Sequence, residues 1–433
     1  MKLERKETSM ELLEMILDNH NLFNAYEQVY RNKGASGIDG ITVDELGCYL
    51  YLHKEEIKQQ IRELKYKPQP VKRVLIPKEN GKMRKLGIPT VVDRVIQQAM
   101  VQVLSPIFDR QFSETSYGFR KNRSCEMAVI KALEYFNDDN DWIVDIDLQA
   151  FFDNVNQDKL IGIIRRTIKD GRVISLIRKF LVSGVMENGV LQPTKVGTPQ
   201  GGNLSPLLSN IMLNELDKEL EKRGLKFVRY ADDCLIMVRS EKAANRVMST
   251  ITDFIEKKLG LKVNAEKSKI ARPNEIKYLG FGFYKNKQGT WKPKPHLKSI
   301  QKFVKNLKYI TSRNNSKTID EKVTKLNQVI RGWINYFKIA DMKKWMTTIG
   351  EHVRHRLRMC IWKYWKRPKT KYKCLRKLGI SHYNAYMVAN TRHGYYWVAS
   401  TVVLHIAISN KRLKQKGLVF PLDYYLKVHT NIN

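Results

Sequence analysis

Apolar side chains at Leu12, Leu13, Ile16, Leu17, Leu22, Phe23, Tyr26 and Val29 recur at helical spacing across residues 10–31. The Gly-punctuated segment NKGASGIDGI after them reads as a loop. Val71 to Pro77, the turn ENGK and a second run ending at Ile88-Pro89 predict a hairpin. Helical periodicity returns over Val92–Leu104 and Glu126–Phe136. In DWIVDIDL, Trp142, Val144, Ile146 and Leu148 alternate with Ile143, Asp145 and Asp147, the period of a strand. KFVRY and CLIMV, flanking Asp232-Asp233, predict a second hairpin over Phe227–Val238. A helix (Ala243 to Lys258), a short strand (Leu261 to Val263) and the strand YLGFGFY follow. Strands and helices interleave without a strict βαβ rhythm, so the class is α+β. Past Trp291 the pattern becomes helical, basic and aromatic, and the shift near 285–298 marks a domain boundary.

The chain has 433 residues, 42% hydrophobic and 28% charged, a globular balance that excludes wholesale disorder. Its net charge is +35, and residues 285–433, with 33 bases against 5 acids, carry most of it. So local a surplus points to a polyanion, nucleic acid before membrane. The five cysteines are scattered, with no C-x-x-C, which argues against disulfides and zinc and suits a reducing cytosol. The N-terminus lacks the apolar run of a secretory signal, and the apolar stretch Trp397 to Ile408 is too short to span a bilayer. A soluble cytoplasmic protein is expected.

Three carboxylates stand out. Asp147 lies in an apolar strand frame, and Asp232 and Asp233 lie at the tip of the second hairpin. Desolvating a carboxylate costs on the order of several kcal/mol unless it is compensated. Paired strands would bring the three together, and a divalent cation would offset their repulsion. Oxygen ligation suits magnesium, and two ions roughly 3.5–4 Å apart serve an in-line displacement at phosphorus. Asp145, on the same strand face as Asp147, is a further candidate. Asp is common in turns, so YADD alone reads equally as a polar turn; its coexistence with Asp147 favours the metal site.

VDIDLQAFF, GTPQGGNLSPLLSNIMLNELD, FVRYADD and YLGFGF, in this order, resemble the palm motifs of reverse transcriptases, above all those encoded by group II introns. The resemblance implies a right-hand polymerase fold: fingers and palm with an antiparallel sheet, then an α-helical thumb and a small C-terminal helical region. It implies that Asp147, Asp232 and Asp233 are catalytic and bind two Mg²⁺ ions. Phe151 matches the steric gate that excludes a 2′-hydroxyl, with core packing as the alternative. Lys78 and Arg84, on either side of the first hairpin turn, match triphosphate-binding fingers residues. Gln200 would hydrogen-bond the nucleotide or the primer–template pair. Gly201 and Gly202 would let the backbone approach a base pair, and Arg120, Tyr230 and Gly280 complete the template and primer contacts. Lys121 and Arg123 extend the basic loop of Arg120. Lys267 and Lys269 resemble a downstream palm motif in which a lysine protonates pyrophosphate. RNKGASGIDGITVDEL, within residues 1–70, looks like the extra segment that non-retroviral enzymes carry before the fingers.

Residues 354–377 hold eleven Lys/Arg and no acid. Arg354, Arg356, Arg358, Lys363, Lys366 and Arg367 are the expected RNA contacts, and the interleaved aromatics either stack on bases or pack between helices. LNQVIRGWINYFKIA resembles the maturase-specific thumb, with Leu326, Val329, Ile330, Trp333, Ile334 and Phe337 on its apolar face. The layout expected is fingers and palm over 1–292, thumb over 293–375 and a DNA-binding region over 376–433. Without the paired C-x-x-C motifs of the family's endonuclease domain, the chain looks like the short proteins of bacterial class C introns and is not expected to cut a second DNA strand. The function implied is an RNA-directed DNA polymerase and maturase: it binds group II intron RNA, copies an RNA template from a DNA primer with dNTPs, and engages target DNA but no membrane. A splicing cofactor alone, or a reverse transcriptase domesticated for defence or beside a CRISPR integrase, are the rival readings.

Overall fold

The computed structural model describes residues 11–77, 81, 83–187, 189–193, 196–198 and 201–429. It divides into two compact units, one ending at Ala271 and one beginning at Arg272. The division precedes the composition shift, because the hairpin at 281–295 packs its aromatic side chains on the helices that follow it. Phe281 and Phe337 are 4.7 Å apart between ring centroids.

Ten strands are described: β1 (Val71–Pro77), β2 (Met83–Ile88), β3 (Trp142–Ile146), β4 (Val185–Glu187), β5 (Val190–Gln192), β6 (Lys226–Tyr230), β7 (Asp233–Val238), β8 (Lys269–Ala271), β9 (Phe281–Lys285) and β10 (Trp291–Pro295). In the first unit, β1 and β2 form the expected hairpin, with Ile76 opposite Arg84, and β4–β5 extend it through a parallel β1–β4 pairing. The other sheet is antiparallel, in the order β6-β7-β3-β8. Alternation sets its two faces. Val144, Ile146, Cys234, Ile236 and Phe227 join the core cluster, while Asp145 stands on the opposite face, paired with Leu235.

Two helices anchor that core. Val91–Asp109 is buried around much of its circumference, as a helix apolar on most sides must be. Thr90 caps it by accepting from the Asp93 N–H. The buried Asp93 carboxyl, pushed up to about 6 by desolvation, accepts from the Tyr66 and Thr90 hydroxyls and the Gln69 N–H. Ser205–Lys222 is buried along its length, including Asn210, Asn214 and Asp217. The helical spacing of residues 10–31 resolves into Leu12–Leu17 and Asn19–Arg31, because Asp18 leaves helical geometry and caps the second helix. Leu261–Val263 forms no strand; only Val263 bridges, to Leu148.

The second unit is helical beyond β10. Leu297–Ile310, Ile319–Tyr336 and Lys343–Tyr364 are its long helices, the second opened by a Thr318/Glu321 capping box. Leu326, Ile330, Ile334 and Phe337 are buried, and the Trp333 ring stacks on Phe303 at 4.4 Å. No described helix is long and apolar enough to cross a membrane.

Candidate active site

The site begins with the register of β3 on β7. Ile146 pairs with Cys234, so the next positions, Asp147 and Asp233, follow side by side on the face that carries Asp145. Asp232 occupies the turn of the β6–β7 hairpin, where Tyr230 pairs with Asp233. Burial raises the Asp233 carboxyl to about 6, followed by the negative charges of Asp232, Asp145 and Asp147, with Lys267 acting against them. Asp233 nonetheless reaches solvent; the crowding of carboxylates is therefore the part of this shift that bears on function. Asp145 is also raised to about 6, chiefly by burial, with Lys269 lowering and Asp147 raising it. The strand pattern thus brings the three expected acids, and Asp145, to one place.

Asp147 is the most closely held of the four. Its N–H donates to Ser268 Oγ at 3.0 Å, Asn264 Nδ2 donates to Oδ2 at 3.0 Å, and Lys267 Nζ is 3.1 Å from the same oxygen. Among the described residues, no three His, Cys, Asp or Glu side chains enclose a cation by themselves. The donor set still fits magnesium, which takes one or two carboxylates and completes its shell with water and substrate phosphates. Carboxylates brought this close together are also the groups that a divalent cation compensates best.

The hairpin turn is held from beneath by residues that composition did not single out. Arg229 is fully buried and pairs bidentately with the equally buried Asp217. Its remaining nitrogen donates to Asn210 Oδ1 at 3.0 Å and to the Ala231 carbonyl at 2.9 Å. Ala231, with φ of 57°, is left-handed, a conformation that costs a non-glycine residue free energy. Gly118 packs on this turn so closely that a Cβ would lie 2.2 Å from the Ala231 nitrogen. The available signal was an Arg and an Asp in segments otherwise apolar enough to be buried.

The loops expected to hold nucleotide and template are partly visible. Lys78 and Gln200 lie outside the described residues. Arg84 is exposed on β2. Gly201, at φ 113°, sits against β2, where a Cβ would meet the Gly87 carbonyl at 2.2 Å; Gly202 sits against Gln97. These glycines therefore serve close packing within the protein. Phe151 is 3% exposed and belongs to the core cluster, with its ring edge-on to Phe152 at 5.2 Å. The Thr198 N–H donates to the Phe152 carbonyl, tying the start of the GTPQGG loop to this turn. Tyr230 hydrogen-bonds Cys125, and burial followed by that bond pushes its hydroxyl up to about 12.

Family comparison agrees with this geometry. The reverse transcriptase (RNA-dependent DNA polymerase) model matches residues 76–283, and the group II intron maturase-specific domain matches residues 300–379. The group II intron-encoded protein LtrA of Lactococcus lactis subsp. cremoris is 32% identical over 416 residues, covering 73% of this chain and 68% of LtrA. The chain belongs to the group II intron-encoded reverse transcriptases. Protein YkfC of Escherichia coli K12 is likewise 32% identical, over 61% of this chain and 80% of its own. Among solved structures, a partial Cas6-RT-Cas1–Cas2 complex aligns over 58% of the chain at 23% identity with a TM-score of 0.38. The protein is a reverse transcriptase with a maturase domain, of a family that works with divalent metal ions.

In this reverse transcriptase several expected nucleic-acid contacts prove to be internal. Arg120 is 9% exposed and donates to Asp109 Oδ1 at 2.6 Å and to the carbonyls of Ser113, Ser116 and Asp109. With its donors engaged it braces a loop and does not reach a template. Arg358 is buried, with donors on the Ile408 carbonyl and Asn410, and burial lowers it to about 10. Arg356 bonds Thr311 and the Lys308 carbonyl, and Lys363 bonds the Arg313 carbonyl at 3.1 Å. Arg354 is half-buried over the Phe420 ring. Lys366 and Arg367 are exposed. Gly280 forms a turn with Leu279 in the second unit, its carbonyl accepting from Ser299 Oγ at 2.8 Å.

Proposed function

We propose that Asp147, Asp232 and Asp233 hold two magnesium ions at the tip of the β6–β7 hairpin and that Asp145 tunes the charge beside them. The observation that carries this reading is the register of β3 on β7, in which Ile146 pairs with Cys234 and the next positions are Asp147 and Asp233, with Asp232 in the adjoining turn. Magnesium bound there would neutralise the triphosphate and favour ionisation of a primer 3′-hydroxyl. Lys267, already on Asp147, keeps a positive charge beside the leaving pyrophosphate and can deliver a proton to it. Lys78 and Arg84 clamp the triphosphate, Gln200 contacts the incoming nucleotide, and Tyr230 lines the primer–template path. Phe151, the first residue of the short helix Phe151–Asn154 after Asp147, sets the sugar selectivity.

The intron's own RNA is the template and the splicing substrate, bound in part by Lys366 and Arg367. Residues 1–292 form fingers and palm, 293–375 the thumb, and 376–433 meet target DNA. Primer extension on a long RNA tests the polymerase reading. Wild type extends with dNTPs and Mg²⁺, Asp232→Asn loses extension by at least about 10³-fold while still binding RNA, and Phe151→Ala gains rNTP incorporation. Extension by Asp232→Asn at the wild-type rate would sink the metal assignment.

A further inference from the structure

In the second unit, Glu351, His352, Arg354, His355 and Arg358 of the Lys343–Tyr364 helix line an open cavity of about 740 Å³, together with Tyr396 and His405. The positions 351, 352, 355 and 358 lie on one helical face. Both His352 and His355 bury Nε2 without a hydrogen-bond partner. Buried polar atoms are almost always satisfied, so two orphaned ring nitrogens on side chains that line one polar cavity point to a missing hydrogen-bond partner.

The charge around the cavity says what that group is. His352 faces Arg356, Lys308 and His355, while His355 faces His405, Arg358 and Arg356. His405 faces Arg358 and Arg354 and bonds the Ala399 carbonyl. The acids nearby are Glu351 and Asp423, and both act on Arg354. Burial and these cations hold all three imidazoles below their ordinary range. A site so short of negative charge repels a metal ion and welcomes an anion. Arg358, although buried, already spends donors on Ile408 and Asn410. Arg354 and the imidazoles are left to take the ligand.

We propose that this cavity is a phosphate pocket that seats a phosphodiester of bound nucleic acid against Arg354, His352 and His355. The proposal rests on the reading of this chain as an RNA-binding enzyme and adds a site and a pH response to it. A phosphodiester supplies acceptors for both orphaned nitrogens, and its negative charge favours the doubly protonated ring over the neutral one. Binding therefore takes up protons, and affinity tightens as pH falls through the imidazole range, roughly from 7.5 to 6.

The test uses the full chain and a stem–loop RNA, with affinity measured against salt at about pH 6 and about pH 7.5. Wild type should bind several-fold tighter at the lower pH. His352→Gln/His355→Gln should lose that difference and about one phosphate's worth of salt slope, roughly 0.7–0.9. A double variant with wild-type melting that keeps both the pH response and the slope overturns the pocket. Histidine-selective NMR of the wild type stands apart from any folding defect: RNA should shift two imidazoles and raise their pKa. Resonances moved by inorganic phosphate but not by RNA would overturn the nucleic-acid assignment, and resonances moved by neither would overturn the anion site. Primer extension is a separate readout, so failure of the pocket and failure of the polymerase reading are distinguishable.

Discussion

Replacing Arg229 separates what holds the catalytic hairpin from what merely keeps the protein folded. Its partner Asp217 is fully buried, and both side chains have no exposed surface. Burial drives the Asp217 carboxyl upward, and the Arg229 charge opposes this. Arg229→Leu leaves that carboxyl without its cation, at a cost of about 3–5 kcal/mol. It also strips the Ala231 carbonyl of its donor, at about 1–3 kcal/mol more. At roughly 2–4 °C per kcal/mol for a domain of this size, melting should fall by at least about 8 °C. The double replacement Arg229→Leu/Asp217→Leu removes both charges, and such replacements restore most of the lost stability. It does not restore the bond to Ala231, whose left-handed turn aims Asp232 and Asp233. The double variant should therefore recover most of the lost melting temperature yet extend primers at least about 10-fold more slowly, with a raised Mg²⁺ requirement. The assay pairs thermal melting with primer extension across a magnesium titration. A double variant with wild-type stability, rate and magnesium dependence refutes the positioning role.

Three further perturbations follow from the same geometry. Because the folded protein holds Asp145 near 6, above the ordinary carboxylate value, its ionisation opposes folding increasingly as pH climbs from about 4 to about 6. Asp145→Asn should raise metal-free stability by about 1–2 kcal/mol, discounted for partial exposure, at pH near 7.5 and hardly at all near 4; equal shifts in melting at both would contradict this. Arg120→Gln should lower melting while leaving the salt slope of RNA binding intact, whereas Lys366→Gln/Arg367→Gln should cut that slope by roughly 1–2 and spare melting. Gly201→Ala forces a Cβ against the Gly87 carbonyl at a positive φ, so extension should drop with little change in RNA affinity; wild-type rates would show that the loop yields.

What could be read in advance follows from what sequence encodes locally. Asp147 and the Asp232-Asp233 tip were legible because period-2 alternation fixes which strand positions share a face, and β3 against β7 keeps that alternation. The helix starts at Thr90 and Thr318 carry their signal in the capping residue itself. The basic side chains were harder. Arg120, Arg356, Arg358, Lys366 and Arg367 look alike as letters, yet the first three spend their donors on backbone carbonyls while the last two face solvent. Charge alone does not reveal which, because the carbonyls that accept from Arg358 and Arg356 belong to residues about fifty positions away. The Arg229 brace escaped for the same reason: Asp217 and Gly118 meet the turn only through tertiary packing.

One consequence ties the acidic site to its brace. Four carboxylates at the edge of β3 and β7 repel one another, and that repulsion acts to push the hairpin tip outward. The tip stays in place because its opposing support is polar and buried: Arg229 on the Ala231 carbonyl, Asn210 on the Gly118 carbonyl, and Gly118 against Ala231. Apolar packing alone resists displacement in all directions about equally, whereas these hydrogen bonds specify one orientation of the turn. The hairpin is therefore built to hold its acids close before a cation arrives. On that reasoning, divalent ions should raise the melting temperature of wild type more than that of Asp233→Asn, since the relieved repulsion is largest where all four charges remain.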